Sequence, residues 1–141
     1  MANVLYPKFK EKLLNPGTLG QSSATSVDLV DDVIRIALVD TGTYTYSATH
    51  EFLSDVTGVV GTAQTLASKT VTNGVFDAAD VTFTGLTGDS VEAYIIYKNV
   101  SGVPGSSSLI AYFDTATSGL PFTPNGGNLT IQFNASGIFA L

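Results

Sequence analysis

The chain has 141 residues, a length that suits one domain able to bury roughly 70% of the surface its unfolded form exposes. It contains no cysteine, so disulfides, thiolate metal sites and a cysteine nucleophile are all excluded. Charged residues make up 13% of the chain, about half the usual share for a globular domain, and the net charge is −6.

That charge is unevenly spread. Lys8, Lys10 and Lys12 are half of the basic residues and fall within the first twelve positions. The acidic remainder argues against a nucleic-acid partner, because phosphate binding needs a basic face. The short basic segment is instead a candidate for docking on an acidic protein surface. No apolar run approaches the roughly 20 residues that span a bilayer, so no membrane partner is expected. The opening "MANVLYPKFKEKLL" lacks an apolar leader core and a small-residue cleavage site, so no secretory signal is expected. Glycans are accordingly not expected at the N-x-S/T matches Asn99, Asn128 and Asn134.

Taken in order, "LYPKFKEKLL" predicts a short helix or an arm, stopped by Asn15-Pro16-Gly17. Residues 1–17 are read as an N-terminal arm separable from a single β-domain over residues 18–141, which begins with a small polar loop. "DVIRIALVD" is apolar on nearly both faces, with Ile34, Ile36 and Leu38 on one, and predicts a central strand. After a turn at Asp40, Tyr44 and Tyr46 share a face. "HEFLSDV" predicts one or two helical turns capped by Thr49.

Asn73-Gly74 is the strongest hairpin signal in the chain, because both residues accept a positive φ at little cost. Val81 and Phe83 alternate with Thr82 and Thr84, a strand with one wet face. "SVEAYIIYKNV" and "SLIAYFDT" flank a Gly/Ser loop and are expected to pair antiparallel over residues 91–98 and 108–113. Leu129, Ile131 and Phe133 are expected to point inward, and Ile138, Phe139 and Leu141 to form a buried last strand. Seven or eight short strands with at most two short helices predict an all-β, jelly-roll-like sandwich.

No catalytic constellation emerges, and the chain is not expected to be an enzyme or to carry a cofactor or metal. His50 is the single histidine, no nucleophile-elbow motif surrounds any serine, and a local hydrogen bond at a helix start is its simpler role. Asp28, Asp31 and Asp32, and Asp77 with Asp80, lack the spacing of a calcium loop and suit turn-capping. Glu92 has no identifiable partner for a glycosidase-like pair. The remaining signal is aromatic: Tyr6, Phe9, Tyr44, Tyr46 and Phe122 fall in arms and turns on a low-charge body. Interfaces favour tyrosine and phenylalanine and shed carboxylates. These five, with Lys8, Lys10 and Lys12, form the candidate partner interface, about half of the aromatics being expected in the protein's own core.

Three stretches, "IRIALVDTGTYTYSATHEFLSDV", "DAADVTFTGLTGDSVEAYIIYK" and "LIAYFDTATSGLPFTPNGGNLTIQFNASGIFAL", resemble a family of small virion proteins encoded beside capsid genes in tailed bacteriophages. Within them, "ATHEFLSDV" and "TSGLPFTPNGG" are the most diagnostic. The resemblance implies a capsid decoration, or cement, protein with a jelly-roll-like fold. Such a protein is made in the bacterial cytoplasm, binds the outer surface of the head and clamps neighbouring capsomers. Its partners would be the major capsid protein and further copies of itself, as a dimer or trimer. An alternative reading is a tail, fibre or adhesion component that binds a host-surface carbohydrate or protein; a small carboxylate hydrolase is a third.

Overall fold

The structure, a computed structural model, describes residues 3–14 and 27–141. The expected Asn15-Pro16-Gly17 break and the polar loop up to Ser26 lie outside the described residues. The described chain is an all-β sandwich built on antiparallel sheets. A five-stranded sheet has the order β1 (Val4–Leu5), β8 (Leu109–Phe113), β7 (Ala93–Lys98), β2 (Ile34–Val39) and β3 (Val59–Thr65). A three-stranded sheet orders β10 (Phe139–Ala140), β5 (Val75–Asp77) and β4 (Thr70–Thr72), and β6 (Val81–Phe83) pairs with β9 (Leu129–Ile131).

The large sheet owes its place to sequence composition. All eleven residues of β7 and β8 are buried, so this pair is covered on both faces, as near-continuous apolar runs require. Their antiparallel register, Tyr94 opposite Phe113 and Ile95 opposite Tyr112, matches the expected pairing. Because successive side chains alternate faces, Tyr94 and Phe113 share one face, where their rings stack at 5.0 Å with Phe133 beside them. Tyr112 takes the opposite face, against Tyr44 and Tyr46. Strand β2 lies between β7 and β3 and is buried except at Arg35.

Two local predictions hold. Asn73 and Gly74 have φ of 52° and 79° and join β4 to β5 in a two-residue hairpin, the conformation in which a residue other than Gly or Asn is penalised. Leu129, Ile131 and Phe133 are buried.

Other expectations are corrected. The N-terminal segment is no separable arm. Val4 and Leu5 pair with Tyr112 and Ala111, the Tyr6 N–H donates to the Ile110 carbonyl at 3.0 Å, and helix α1 (Pro7–Leu14) packs on β8. Pro7 at the first helical position is preset for the helical φ, and the spacing Phe9, Lys12, Leu13 turns one helical stripe toward the core. At the other end, the closing strand is only Phe139–Ala140, with Ile138 and Phe139 half-buried and Leu141 68% exposed. "HEFLSDV" does form one helical turn as expected, of 3-10 type over Leu53–Asp55, but Thr49 does not cap it. The Asp55 carboxylate accepts the Glu51 and Phe52 N–H groups at 2.9 and 3.1 Å instead. These two bonds hold its pKa below the ordinary carboxylate value.

Candidate partner interface

Four of the eight expected interface residues belong to the protein's own interior. Tyr6, Phe9, Lys12 and Tyr44 are each at most 2% exposed, so none is available to a partner. Phe9 meets the ring of Phe139 edge-on at 6.1 Å. Lys12 is the less expected case, since a buried ammonium must be paired or it loses too much hydration. Its Nζ donates to Ser108 Oγ at 2.9 Å, lies 3.2 Å from Glu51 Oε1 and sits 4.5 Å from the centre of the Phe52 ring. Burial lowers its pKa, against the opposing pull of Glu51.

Tyr6, Tyr44 and Tyr46 do come together, but as core. The hydroxyls of Tyr6 and Tyr44 are 2.8 Å apart, and the Tyr44 hydroxyl is 2.8 Å from His50 Nδ1. Tyr46 is half-buried and closes the group, 5.2 Å from the Tyr6 ring and 5.4 Å from that of Tyr112. His50 therefore bonds a side chain, but that of Tyr44 in the tyrosine group and not a group at the start of the helical turn as expected. Burial pushes the Tyr44 hydroxyl up to about 12 and raises that of Tyr6 further.

The rest are accessible but scattered. Lys10 is exposed, and Lys8, half-buried, is joined to Glu11 at 2.9 Å. Phe122 is half-buried and pairs with Val91 through two backbone hydrogen bonds of 2.8 Å, apart from the tyrosine group. Of the basic segment, two lysines reach solvent, one already paired within its own helix.

A different surface is rich in threonine. Strand β3 packs beside β6, and β6 pairs with β9, register Thr82 opposite Thr130. The two hydroxyls are 2.9 Å apart on the outer face, while Val81, Phe83, Leu129 and Ile131 point inward. Between β3 and the end of β6 lies a hollow of about 310 Å³ whose polar side chains are Thr62, Gln64, Thr84 and Thr87. No charged side chain lines it. The open edge of the smaller sheet continues the theme, since Thr70, Val71 and Thr72 are all exposed. Sequence reasoning saw the alternation that makes one face of β6 wet, but not that β3 and β9 add threonines to it. That step depends on strand order.

Of the acidic clusters, Asp28 and Asp77 act in their own turns, whereas Asp80 bonds a distant strand end instead. Asp28 Oδ1 accepts the Val30 and Asp31 N–H groups at 3.0 Å each, which lowers its pKa. Asp77 accepts the N–H of Ala78, and Asp80 that of Phe133, both at 2.9 Å. Among the described residues, no group of three or more His, Cys, Asp or Glu is placed to hold a metal ion. No described helix is long and apolar enough to cross a membrane. Glu92 Oε1 accepts from Ser90 at 3.0 Å, and no second carboxylate is placed against it among the described contacts.

No family model and no curated protein sequence matches the chain.

Proposed function

We propose that this chain is a non-enzymatic structural protein of a tailed-phage virion, a capsid decoration protein that binds the outer head surface and clamps neighbouring capsomers. The observation that carries the reading is a run of uncharged threonines, on the outer face of the β6–β9 pair and around the hollow between β6 and β3. Covering a hydroxyl on binding costs far less than covering an ion, so such a face suits broad, shallow contact with another protein. Each contact is weak. Repetition over a lattice, or linkage of two or three copies in one oligomer, multiplies the strength without any deep pocket. The sequence resemblance to small virion proteins points the same way.

The test uses heads of the encoding phage assembled without this chain. Labelled protein mixed with them and imaged by negative stain is expected to decorate the outer shell in a regular array. A Thr82→Lys, Thr130→Lys double variant places two charges on the face and is expected to abolish decoration with its fold intact. Binding to tails or to host cells, with bare heads, would overturn the proposal.

A further inference from the structure

The sequence contains two Asn-Gly pairs, Asn73-Gly74 and Asn125-Gly126. Such a pair carries its own chemistry, because a glycine has no side chain to crowd its nitrogen. That nitrogen attacks the asparagine side-chain carbonyl carbon. The new N–Cγ bond closes a five-membered imide ring and the Cγ–Nδ2 bond breaks. The amide nitrogen leaves as ammonia, taking up the proton that the glycine N–H gives to solvent. Water then opens the ring at either carbonyl, leaving aspartate or isoaspartate. Water is the one reactant that enters, and nothing is oxidised or reduced.

Both asparagines are exposed, so access to water does not separate them. Their hydrogen bonds do. The Gly126 N–H donates to the Leu86 carbonyl at 2.7 Å, and the Leu86 N–H returns a bond to the Gly127 carbonyl at 2.8 Å. Asn125 Oδ1 accepts the Gly127 N–H at 2.9 Å. The attacking nitrogen and the carbonyl it would attack are therefore both engaged elsewhere, in a loop tied to the buried Leu86. At the other pair, neither the Asn73 amide nor the Gly74 N–H has a hydrogen-bond partner among the described residues. Ring closure requires Asn73 to leave its left-handed conformation, φ 52°, so the hairpin must open first. That opening is local. Strand β4 is an edge strand of three exposed residues, and Leu141, whose N–H holds the Gly74 carbonyl, is exposed too. Elements with so little cover open well below the free energy of global unfolding.

We infer that Asn73 is a site of spontaneous covalent modification, converting to aspartate and isoaspartate in the folded protein, while the fold holds Asn125 inert. The other asparagines are poorer candidates by sequence. Asn3, Asn99, Asn128 and Asn134 precede Val, Val, Leu and Ala, whose side chains crowd the nitrogen, and Asn15 precedes a proline, which has no N–H. Either product adds a negative charge at the hairpin. Isoaspartate does more, because the main chain then runs through the former side chain and gains one carbon. A turn whose two residues set Thr72 opposite Val75 cannot absorb that carbon, so β4 loses its register on β5. The inference goes beyond the virion reading and requires no capsid, so the two can fail separately.

The experiment holds the full chain at mildly alkaline pH, folded in buffer and unfolded in urea. Peptide mass spectrometry then follows the exchange of amide nitrogen for oxygen at each Asn-Gly pair, with chromatography separating isoaspartate from aspartate. In urea the two pairs are expected to react at similar rates. In the folded chain Asn73 is expected to react at least about tenfold faster than Asn125, whose three bonds must break first. Hydrogen exchange of the isoaspartyl form is expected to rise at Thr70–Thr72 and to stay unchanged in β7 and β8. Asn73→Gly keeps a residue suited to the turn and is expected to abolish the fast reaction. A native rate at Asn73 no greater than that at Asn125 would overturn the inference. So would a preference for Asn73 that persists unchanged in urea, since neighbouring residues and not the fold would then decide it.

Discussion

The Lys12 ammonium lies 3.2 Å from Glu51 Oε1, with the lysine side chain 1% exposed and the glutamate 34%. This contact joins α1 to the segment 51–53, which is itself bonded to β8: the Leu109 N–H donates to the Glu51 carbonyl at 2.9 Å, and the Leu53 N–H to the Ser107 carbonyl at 2.8 Å. Lys12→Ala removes a buried stem and leaves Ser108 without its donor, for an expected loss of about 2–4 kcal/mol. Lys12→Met keeps most of the volume and is expected to cost about 1 kcal/mol. Urea midpoints at unchanged m-value measure both. Equal stability of Lys12→Ala and the parent would mean that Phe9 alone docks the helix.

Tyr44 stands between two partners, so its hydroxyl matters more than that of Tyr6. Tyr44→Phe leaves the buried Tyr6 hydroxyl and His50 Nδ1 both without it, for an expected cost of about 2–3 kcal/mol, whereas Tyr6→Phe costs about 1 kcal/mol. The double variant is expected to lose less than the two together, because the bond they share is removed only once. Additive losses in the double-mutant cycle would refute the hydrogen-bonded chain.

Burial raises the pKa of all six tyrosines. A hydroxyl that keeps its proton in the folded state, where the unfolded chain would release it, stabilises the fold below the unfolded value of about 10 and loses that contribution as pH rises above it. Tyr6, Tyr44 and Tyr94 each withdraw up to about 1.4 kcal/mol per pH unit there, together about 4 kcal/mol. Lys12 has the opposite sign: its lowered pKa restores stability as pH rises toward about 10.5, one group against three. Against a total of about 5–15 kcal/mol, a stability near the lower end is expected to be lost about one to two units above pH 10. Tyrosinate absorbance and far-UV circular dichroism should then change in one cooperative step. Six tyrosines titrating near pH 10 with the β-signal intact would contradict the burial described.

The C-terminus divides into a dispensable and an indispensable part. Leu141 is exposed and contributes one backbone bond, from its N–H to the Gly74 carbonyl at 2.9 Å; removing it is expected to cost at most about 1 kcal/mol. Phe139 lies 5.3 Å from the Phe76 ring, and the Ile138 N–H bonds the Phe76 carbonyl at 2.8 Å. Deleting Ile138 to Leu141 uncovers Phe76 and is expected to cost about 3 kcal/mol, seen as a melting point lower by about 10 °C. An unchanged melting point would mean that β10 adds nothing to the isolated fold.

What the sequence disclosed was local. The Asn73-Gly74 hairpin and the β7–β8 pair were legible because turn chemistry and apolar runs lie within one short window. Lys12 was misread because its charge suggests solvent, and only the distant Glu51, Phe52 and Ser108 make its burial tolerable. Tyr6 and Phe9 looked like interface residues for the same reason, since their cover comes from β8, Tyr44 and Phe139. The last strand was overrated: its run of apolar residues is real, but it lies at the edge of a small sheet with little to cover it. Of the candidate interface, Tyr46, Phe122, Lys8 and Lys10 keep some exposure, and the threonine face required a strand order that no short window contains.

The pairing of β1 with β8 also dictates when the molecule can become itself. Asn3 accepts the Asp114 N–H across 111 residues of chain, and Phe9 waits longer still, for Phe139. During synthesis these residues thus find their places only after strands more than a hundred positions later have been made. Loop closure over such distances slows folding, as high contact order does generally. Until then Tyr6 and Phe9 stand uncovered on the nascent chain, in the one segment where lysines cluster. In the finished sandwich Lys10 is exposed and Lys8 is paired with Glu11 at 2.9 Å, so both charges stay outside the core that takes in Tyr6 and Phe9.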